Sequence, residues 1–209
     1  MPGLPFIKEI SVGMHHTLAL SESGEVYAWG SNNSGQLGDE TTINRTSPVR
    51  ITGLPKIKAL SAGVYHTLAL ADNGDVYGWG SNEYGQLGQV STDNVMTPNL
   101  IDTFPKSRAI AASASDSSVI TTTGEVYVLG TVQNENSPSS NVPRKMEAVS
   151  GAETIASGSD YTLCVLNSGG SIRMGQQRVW TALARAVQQI NASKVIGDES
   201  YQPNFCRLS

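Results

Sequence analysis

The sequence predicts an all-β fold, a propeller-like array of about four four-stranded blades followed by a C-terminal α-helix, and three observations carry that expectation. The chain repeats itself with a period of 50 residues, apolar residues alternate within each copy, and glycine recurs where the alternation must turn back. The segment ISVGMHHTLALSESGEVYAWGSNNSGQLG from Ile10 returns as LSAGVYHTLALADNGDVYGWGSNEYGQLG from Leu60. Gly13, His16, Gly24, Trp29 and Gly30 thereby align with Gly63, His66, Gly74, Trp79 and Gly80.

A third copy, IAASASDSSVITTTGEVYVLG, keeps Gly124 and Gly130 but has Ser113, Asp116 and Leu129 in place of glycine, histidine and tryptophan. A fourth, IASGSDYTLCVLNSGGSIRMG from Ile155, carries Gly158, Tyr161, Gly169 and Gly175 at the matching places, and the pattern then stops. Within a copy, His66-Thr67-Leu68-Ala69-Leu70 and Val76-Tyr77-Gly78-Trp79 have the period-two alternation of half-buried strands. Ser23-Gly24, Asn73-Gly74, Thr123-Gly124 and Gly169-Gly170 supply the positive φ of a tight hairpin between them. IKALSAG before the hairpin, and TSPVRI or TPNLI after the glycine-rich loop, add two further strands per copy. Four strands make a propeller blade. The repeats lie near 7–56, 57–106, 107–151 and 152–175, giving a repeat domain over 1–175 and a tail over 176–209.

Together AGxxHTLAL, the turn glycine, VYxWGxNxxGQLG and a proline-led outer strand resemble the repeat of the regulator-of-chromosome-condensation family, clearly in the first two copies and progressively less in the third and fourth. The resemblance implies a β-propeller. Members of that family usually close a ring of seven blades, so four copies imply a partial ring, a small ring, or one portion of an assembly.

Composition narrows the function. A net charge of −4 and a sequence pI near 5.3 lack the basic excess that phosphate neutralisation requires, so no direct nucleic-acid partner is expected. Cys164 and Cys206 share neither CxxC spacing nor a nearby His pair, and Cys164, within TLCVL, reads as a buried small hydrophobe. The start MPGLPFIKE has no secretory pattern and no apolar run is long enough to span a bilayer, so no membrane partner and a cytoplasmic location are expected.

Repetition itself separates architecture from chemistry, because a reaction happens at one place whereas a frame recurs. His16 and His66 share a repeat position and are expected to pack between strands; Trp29 and Trp79, each beside a glycine, are expected in the core. His15, whose counterpart is Tyr65, reads as an exposed side chain without an oriented base. The GSNNSGQLG and GSNEYGQLG loops lack the Lys-Ser/Thr ending of a phosphate loop, and Asp72-Asn73-Gly74-Asp75 lacks the spaced acids of a calcium loop. No metal site, cofactor or catalytic set is read from the chain.

Positions that break the repeat are the candidate interaction residues. One region is the polar insertion from Thr131 to Met146, which ends in Arg144 and Lys145. The other is the tail, where Val179, Trp180, Leu183, Ala184, Val187 and Ile190 fall at helical spacing. Residues 1–170 carry nine basic and sixteen acidic side chains, net −7, and residues 171–209 carry five and two, net +3, so the tail is expected to dock on the body or to join two chains. The function expected is a non-enzymatic scaffold for a protein partner, with self-association as a further role. Two alternatives stand beside it. One is a phage virion or bacterial surface component, with a virion location; the other, implied by the family resemblance, is nucleotide exchange on a small GTPase.

Overall fold

The computed structural model describes residues 4–131, 139–147, 149–159 and 161–175. Blade 1 comprises β1 (Ile7–Val12), β2 (His16–Ser21), β3 (Val26–Gly30) and β4 (Arg45–Ile51). Blade 2 comprises β5 (Ile57–Ala62), β6 (His66–Ala71), β7 (Val76–Gly80) and β8 (Val95–Leu100). Blade 3 comprises β9 (Ser107–Ala112), β10 (Asp116–Thr121), β11 (Val126–Gly130) and β12 (Ser140–Lys145), and blade 4 comprises β13 (Ala152–Ser157), β14 (Tyr161–Leu166) and β15 (Ser171–Gly175). Each sheet runs in chain order with antiparallel neighbours.

The central hairpin of each blade forms for the reason its sequence gives. In blade 1 the Gly24 N–H donates to Ser21 O (3.0 Å) and the Ser21 N–H to Glu25 O (2.9 Å), which sets Gly24 at φ +88°. The equivalents Gly74, Gly124 and Gly169 take φ +87°, +84° and +82°, a region that costs a residue with a Cβ about 1–2 kcal/mol. The carbonyl of this glycine also accepts from the first strand of the next blade: Ile57 N–H to Gly24 O (3.1 Å), Ser107 N–H to Gly74 O (2.8 Å) and Ala152 N–H to Gly124 O (3.0 Å). The turn therefore shapes one blade and seats the next.

Strand alternation gives every blade two faces. Leu18 and Leu20, with Leu68 and Leu70, point forward into the following joint, while Leu60 and Ile110 point back into the preceding one; all are buried in one core that also holds Trp79, Leu87 and Leu129. A second cluster, with Ile120, Val126, Ile155 and Cys164, fills the joint between blades 3 and 4.

Two expectations change, and a third falls outside the described residues. Blade 4 has three strands among the described residues, not four, because its described portion ends with β15 at Gly175. The polar stretch near Arg144 and Lys145 contains a strand: β12 pairs Lys145 with Tyr127 and Arg144 with Val128. Pro143, like Pro48 of β4 and Pro98 of β8, sits on the outermost strand of its sheet, where a missing N–H is tolerated on the unpaired side. The helix expected in 176–209, with Trp180, Leu183, Val187 and Ile190, lies outside the described residues.

Candidate interaction surface

The geometry of any surface on this frame depends on how blades are clamped. His16 at the start of β2 is buried, with Nε2 3.0 Å from Thr67 Oγ1 of blade 2. Because the Thr67 hydroxyl donates to Gln36 O (2.8 Å), the imidazole must donate through Nε2–H, and the tautomer is fixed. His66 repeats the clamp on blade 3, with Nε2 3.0 Å from Ser117 Oγ. Burial lowers the His16 pKa to about 4, helped by the nearby His15 charge. Burial also lowers His66 to about 3, helped by the His16 charge, so both rings are neutral at physiological pH.

Blade 3 replaces the histidine with Asp116, and the clamp survives with its polarity inverted. Its carboxylate accepts from Ser113 and Ser118 within the blade and from Thr162 of blade 4. Burial nevertheless raises its pKa, since these hydroxyls offset only part of the desolvation. The Ser113 hydroxyl that holds it occupies the place of Gly13 and Gly63, where a Cβ would stand within 3 Å of the His16 or His66 ring. Glycine with histidine and serine with aspartate are thus two paired solutions of one joint.

The glycine-rich loops are filled by their own side chains. Asn32 Oδ1 accepts from Leu37 N–H (2.9 Å), its Nδ2 donates to Asp39 Oδ1 (2.9 Å) and Thr41 O (2.8 Å), and Gln36 Oε1 accepts from Ser34 N–H (2.9 Å). Asn82 and Gln86 repeat this arrangement with Leu87 and Tyr84. The loop of blade 1 also roofs the next blade: Trp79 Nε1–H donates to Gln36 O (2.9 Å), and a Cβ on Gly38 would lie 2.8 Å from the indole. These Asn and Gln roles were missed in the sequence, although their recurrence 50 residues apart was the available signal. Trp29 departs from the core expectation. It is only partly buried, because among the described residues no preceding loop lies over it.

The β1–β2 and β3–β4 connections, and their counterparts in the other blades, emerge at one end of the sheets. Backbone bonds tie them together: Ser31 N–H to His15 O (2.8 Å), Ser81 N–H to Tyr65 O (2.9 Å), Val64 N–H to Ser113 O (3.1 Å) and Ala114 N–H to Ser159 O (3.0 Å). On this fixed platform Met14, Tyr65 and Tyr84 are 62%, 47% and 41% exposed, and His15 is exposed beside them. The opposite end carries surface ion pairs, Arg50–Glu25 (2.8 Å), Lys106–Asp75 (2.6 Å) and Lys145–Glu125 (2.7 Å). Lys145 is therefore engaged with Glu125, which raises its pKa, and it lies away from the aromatic platform. Arg144 neighbours it on β12. Cys164 is buried, and desolvation pushes its thiol up to about 11. Among the described residues no cluster of His, Cys, Asp or Glu is placed to hold a metal ion, and no helix is long and apolar enough to cross a membrane.

Similarity to known proteins agrees with this architecture. The regulator of chromosome condensation (RCC1) repeat family matches residues 23–70 and 73–121, and a second profile of the same repeat matches 7–36 and 57–86. The ultraviolet-B receptor UVR8 of Arabidopsis thaliana is 44% identical over 46 residues, which is 22% of this chain and 10% of that protein. The structure of human WBSCR16 superposes with a TM-score of 0.77 at 23% identity, covering 84% of this chain and 49% of that one. Yeast RCC1 (Prp20), solved bound to Kap60, superposes with a TM-score of 0.70 at 25% identity over 81% of this chain and 43% of its own. The chain thus spans half or less of the length of these relatives. With the repeat, the clamped blades and the matched profiles in agreement, this chain belongs to the RCC1 repeat family of β-propeller proteins.

Proposed function

We propose that the chain is a non-enzymatic propeller scaffold whose loop-bearing end binds a protein partner. The observation that carries this reading is the aromatic platform. Met14, His15, Tyr65 and Tyr84 are exposed on loops whose backbone is locked by the blade joints, and their identities are not shared between copies, since Val64, Ser115 and Ser34 occupy matching places. Architecture does not require these side chains. Exposed Tyr and Met on a rigid frame provide large contact area at little ordering cost, which is how protein interfaces concentrate binding energy. The solved complex of yeast RCC1 with Kap60 supports the class of partner, a protein.

The test is site-specific photocrosslinking in cells, with the reactive side chain placed at Tyr65 or Tyr84, and at Asn73 or Thr123 on the opposite end as controls. A discrete adduct from Tyr65 and Tyr84 alone is expected. Equal labelling from both ends, or adducts only from Asn73 and Thr123, refutes the assignment of the platform.

A further inference from the structure

The two ends of the sheets differ in charge as well as in apolar surface. Of the Lys and Arg side chains among the described residues, Arg45 alone belongs to the loop-bearing end, and Asp39 holds it at 2.7 Å. Lys56, Lys106 and Lys145 lie at the opposite end, each paired there with an acid at 3.3, 2.6 and 2.7 Å. Glu40, Glu83 and Asp93 are exposed at the loop-bearing end, and no ion pair among the described residues engages them. These acids stand among the exposed aromatic and methionine side chains. In blade 2 the Gly85 N–H donates to Asn82 O (2.9 Å), a turn with Glu83 and Tyr84 at its tip, and the Tyr84 N–H donates to Gln86 Oε1 (2.9 Å). Ser81 N–H to Tyr65 O (2.9 Å) ties the base of that loop to Tyr65. Glu40 crosses over from the blade 1 loop: its N–H donates to Met96 O (3.1 Å) of β8, at a methionine that is 42% exposed. It does so at φ +66°, a region that costs a residue with a Cβ about 1–2 kcal/mol. The repeat itself asks for no carboxylate at these places, since Val90 and Asn33 are the counterparts of Glu40 and Glu83. Blade 2 has blade 1 before it and blade 3 after it in this chain, so its loop end is seen with both neighbours in place.

We propose that the protein docked on this end presents an extended segment rich in Lys and Arg. The inference rests on the reading of the loop-bearing end as a docking face and names what that face recognises. A Lys or Arg side chain suits both parts of the surface. Its aliphatic stem covers apolar area, and its charged head is drawn to the faces of Tyr65 and Tyr84 and to the neighbouring carboxylates. The acids come from two loops, Glu40 from blade 1 and Glu83 and Asp93 from blade 2, and are spread across the end instead of lining one pocket. Several cations along an extended chain match that distribution better than a single charge does. Complementary charge speeds encounter with a basic segment and disfavours acidic ones, and it repels the phosphates of a nucleic acid. Arg45, already held by Asp39, opposes none of this.

Fluorescence anisotropy of the 209-residue chain with two short labelled peptides, one of alternating Arg and Ser and one of alternating Glu and Ser, tests this chemistry. The basic peptide should bind and the acidic one should not; equal affinity, or the reverse order, overturns the proposal. Glu83→Gln should weaken binding of the basic peptide about two- to fourfold, and Tyr84→Leu roughly three- to fivefold. Glu22→Gln removes the same charge from an exposed site at the opposite end and should leave the affinity unchanged. All three side chains are exposed, so the variants keep the fold, which thermal melting checks. Equal weakening by Glu22→Gln and Glu83→Gln would reduce the effect to net charge and refute the site. Mapping the segment that crosslinks to Tyr84 in cells separates this inference from the reading beneath it. An adduct on a Lys/Arg-rich segment of another protein supports both. An adduct on an acidic or neutral segment of another protein overturns the basic partner and leaves the docking face standing. An adduct on residues 176–209 of this chain, or adducts no more frequent from Tyr84 than from Asn73, overturn both.

Discussion

Acid should open the blade joints through their histidines, and the size of the effect follows from burial. His16 and His66 have folded pKa values of about 4 and about 3 against 6.5 when exposed, so the unfolded chain binds more protons between those limits. Their contribution to stability is complete above 6.5 and is lost as pH falls toward the folded values. At about pH 4.5, roughly two units below the exposed value, each histidine costs the fold on the order of 2–3 kcal/mol. His66→Gln removes one titration while keeping a polar amide within reach of the Ser117 hydroxyl that His66 Nε2 meets. Denaturant unfolding of both proteins at neutral pH and at about pH 4.5 isolates His66, because the other titrating groups are common to the two. The variant should start less stable, through imperfect packing, yet lose about 2–3 kcal/mol less than the native chain on acidification. Parallel losses would mean that His66 is not buried as a neutral clamp.

Further measurements address the neighbouring devices. Gly63→Ala would place a Cβ 2.5 Å from Ser113 O and 2.9 Å from the His66 ring, so its melting point should drop by the equivalent of about 2 kcal/mol; Gly53→Ala, strained at φ +78° but with no atom within 4 Å, should cost about 1 kcal/mol. Equal costs at the two sites would refute the close approach of blades 2 and 3. The raised pKa of Asp116 means that its ionisation weakens the fold as pH rises from 3.8 through the folded value, so the stability of Asp116→Asn relative to the native chain should improve between pH 4 and pH 7. A difference independent of pH would show that Asp116 is solvated. In a Cys206→Ser background, the Cys164 thiol should resist a thiol reagent at pH 8 until denaturant is added, and rapid labelling of the folded chain would contradict its burial.

Much of this frame was legible because repetition acts as an internal control. The recurrence of His16 and His66 marked them as architectural, and in the structure their ring nitrogens meet Thr67 and Ser117 of the following blade. The turn glycines likewise take the positive φ their positions required. Other features were hidden for physical reasons. Pairing on one side only lets an outer strand carry proline and polar residues, so β12 looked like an insertion. Asp116 looked like decay of the repeat because its partner change at Ser113 compensates only in space. Trp29 was expected in the core because aligned copies imply equal surroundings, whereas among the described residues no loop lies over it as the blade 1 loop lies over Trp79. The aromatic platform could not be ranked until the loops bearing Met14, Tyr65 and Tyr84 were seen at one end.

The clamps that reach one repeat forward also dictate an order of events. A blade held by its predecessor behaves as a link in a one-dimensional series, in which the free energy of opening depends on how many neighbours remain attached. The histidine clamps and the loop roofing Trp79 make the first links strong, while the last is held by the Asp116–Thr162 contact and a smaller apolar cluster. Among the four described blades, opening is therefore expected to propagate backwards from blade 4, with amide protons of β14 exchanging before those of β10 and those of β6 the slowest; β6 exchanging as fast as β14 in hydrogen-exchange mass spectrometry would refute this order. The described blades would then carry a direction of unravelling, set by where the repeat has drifted furthest from itself.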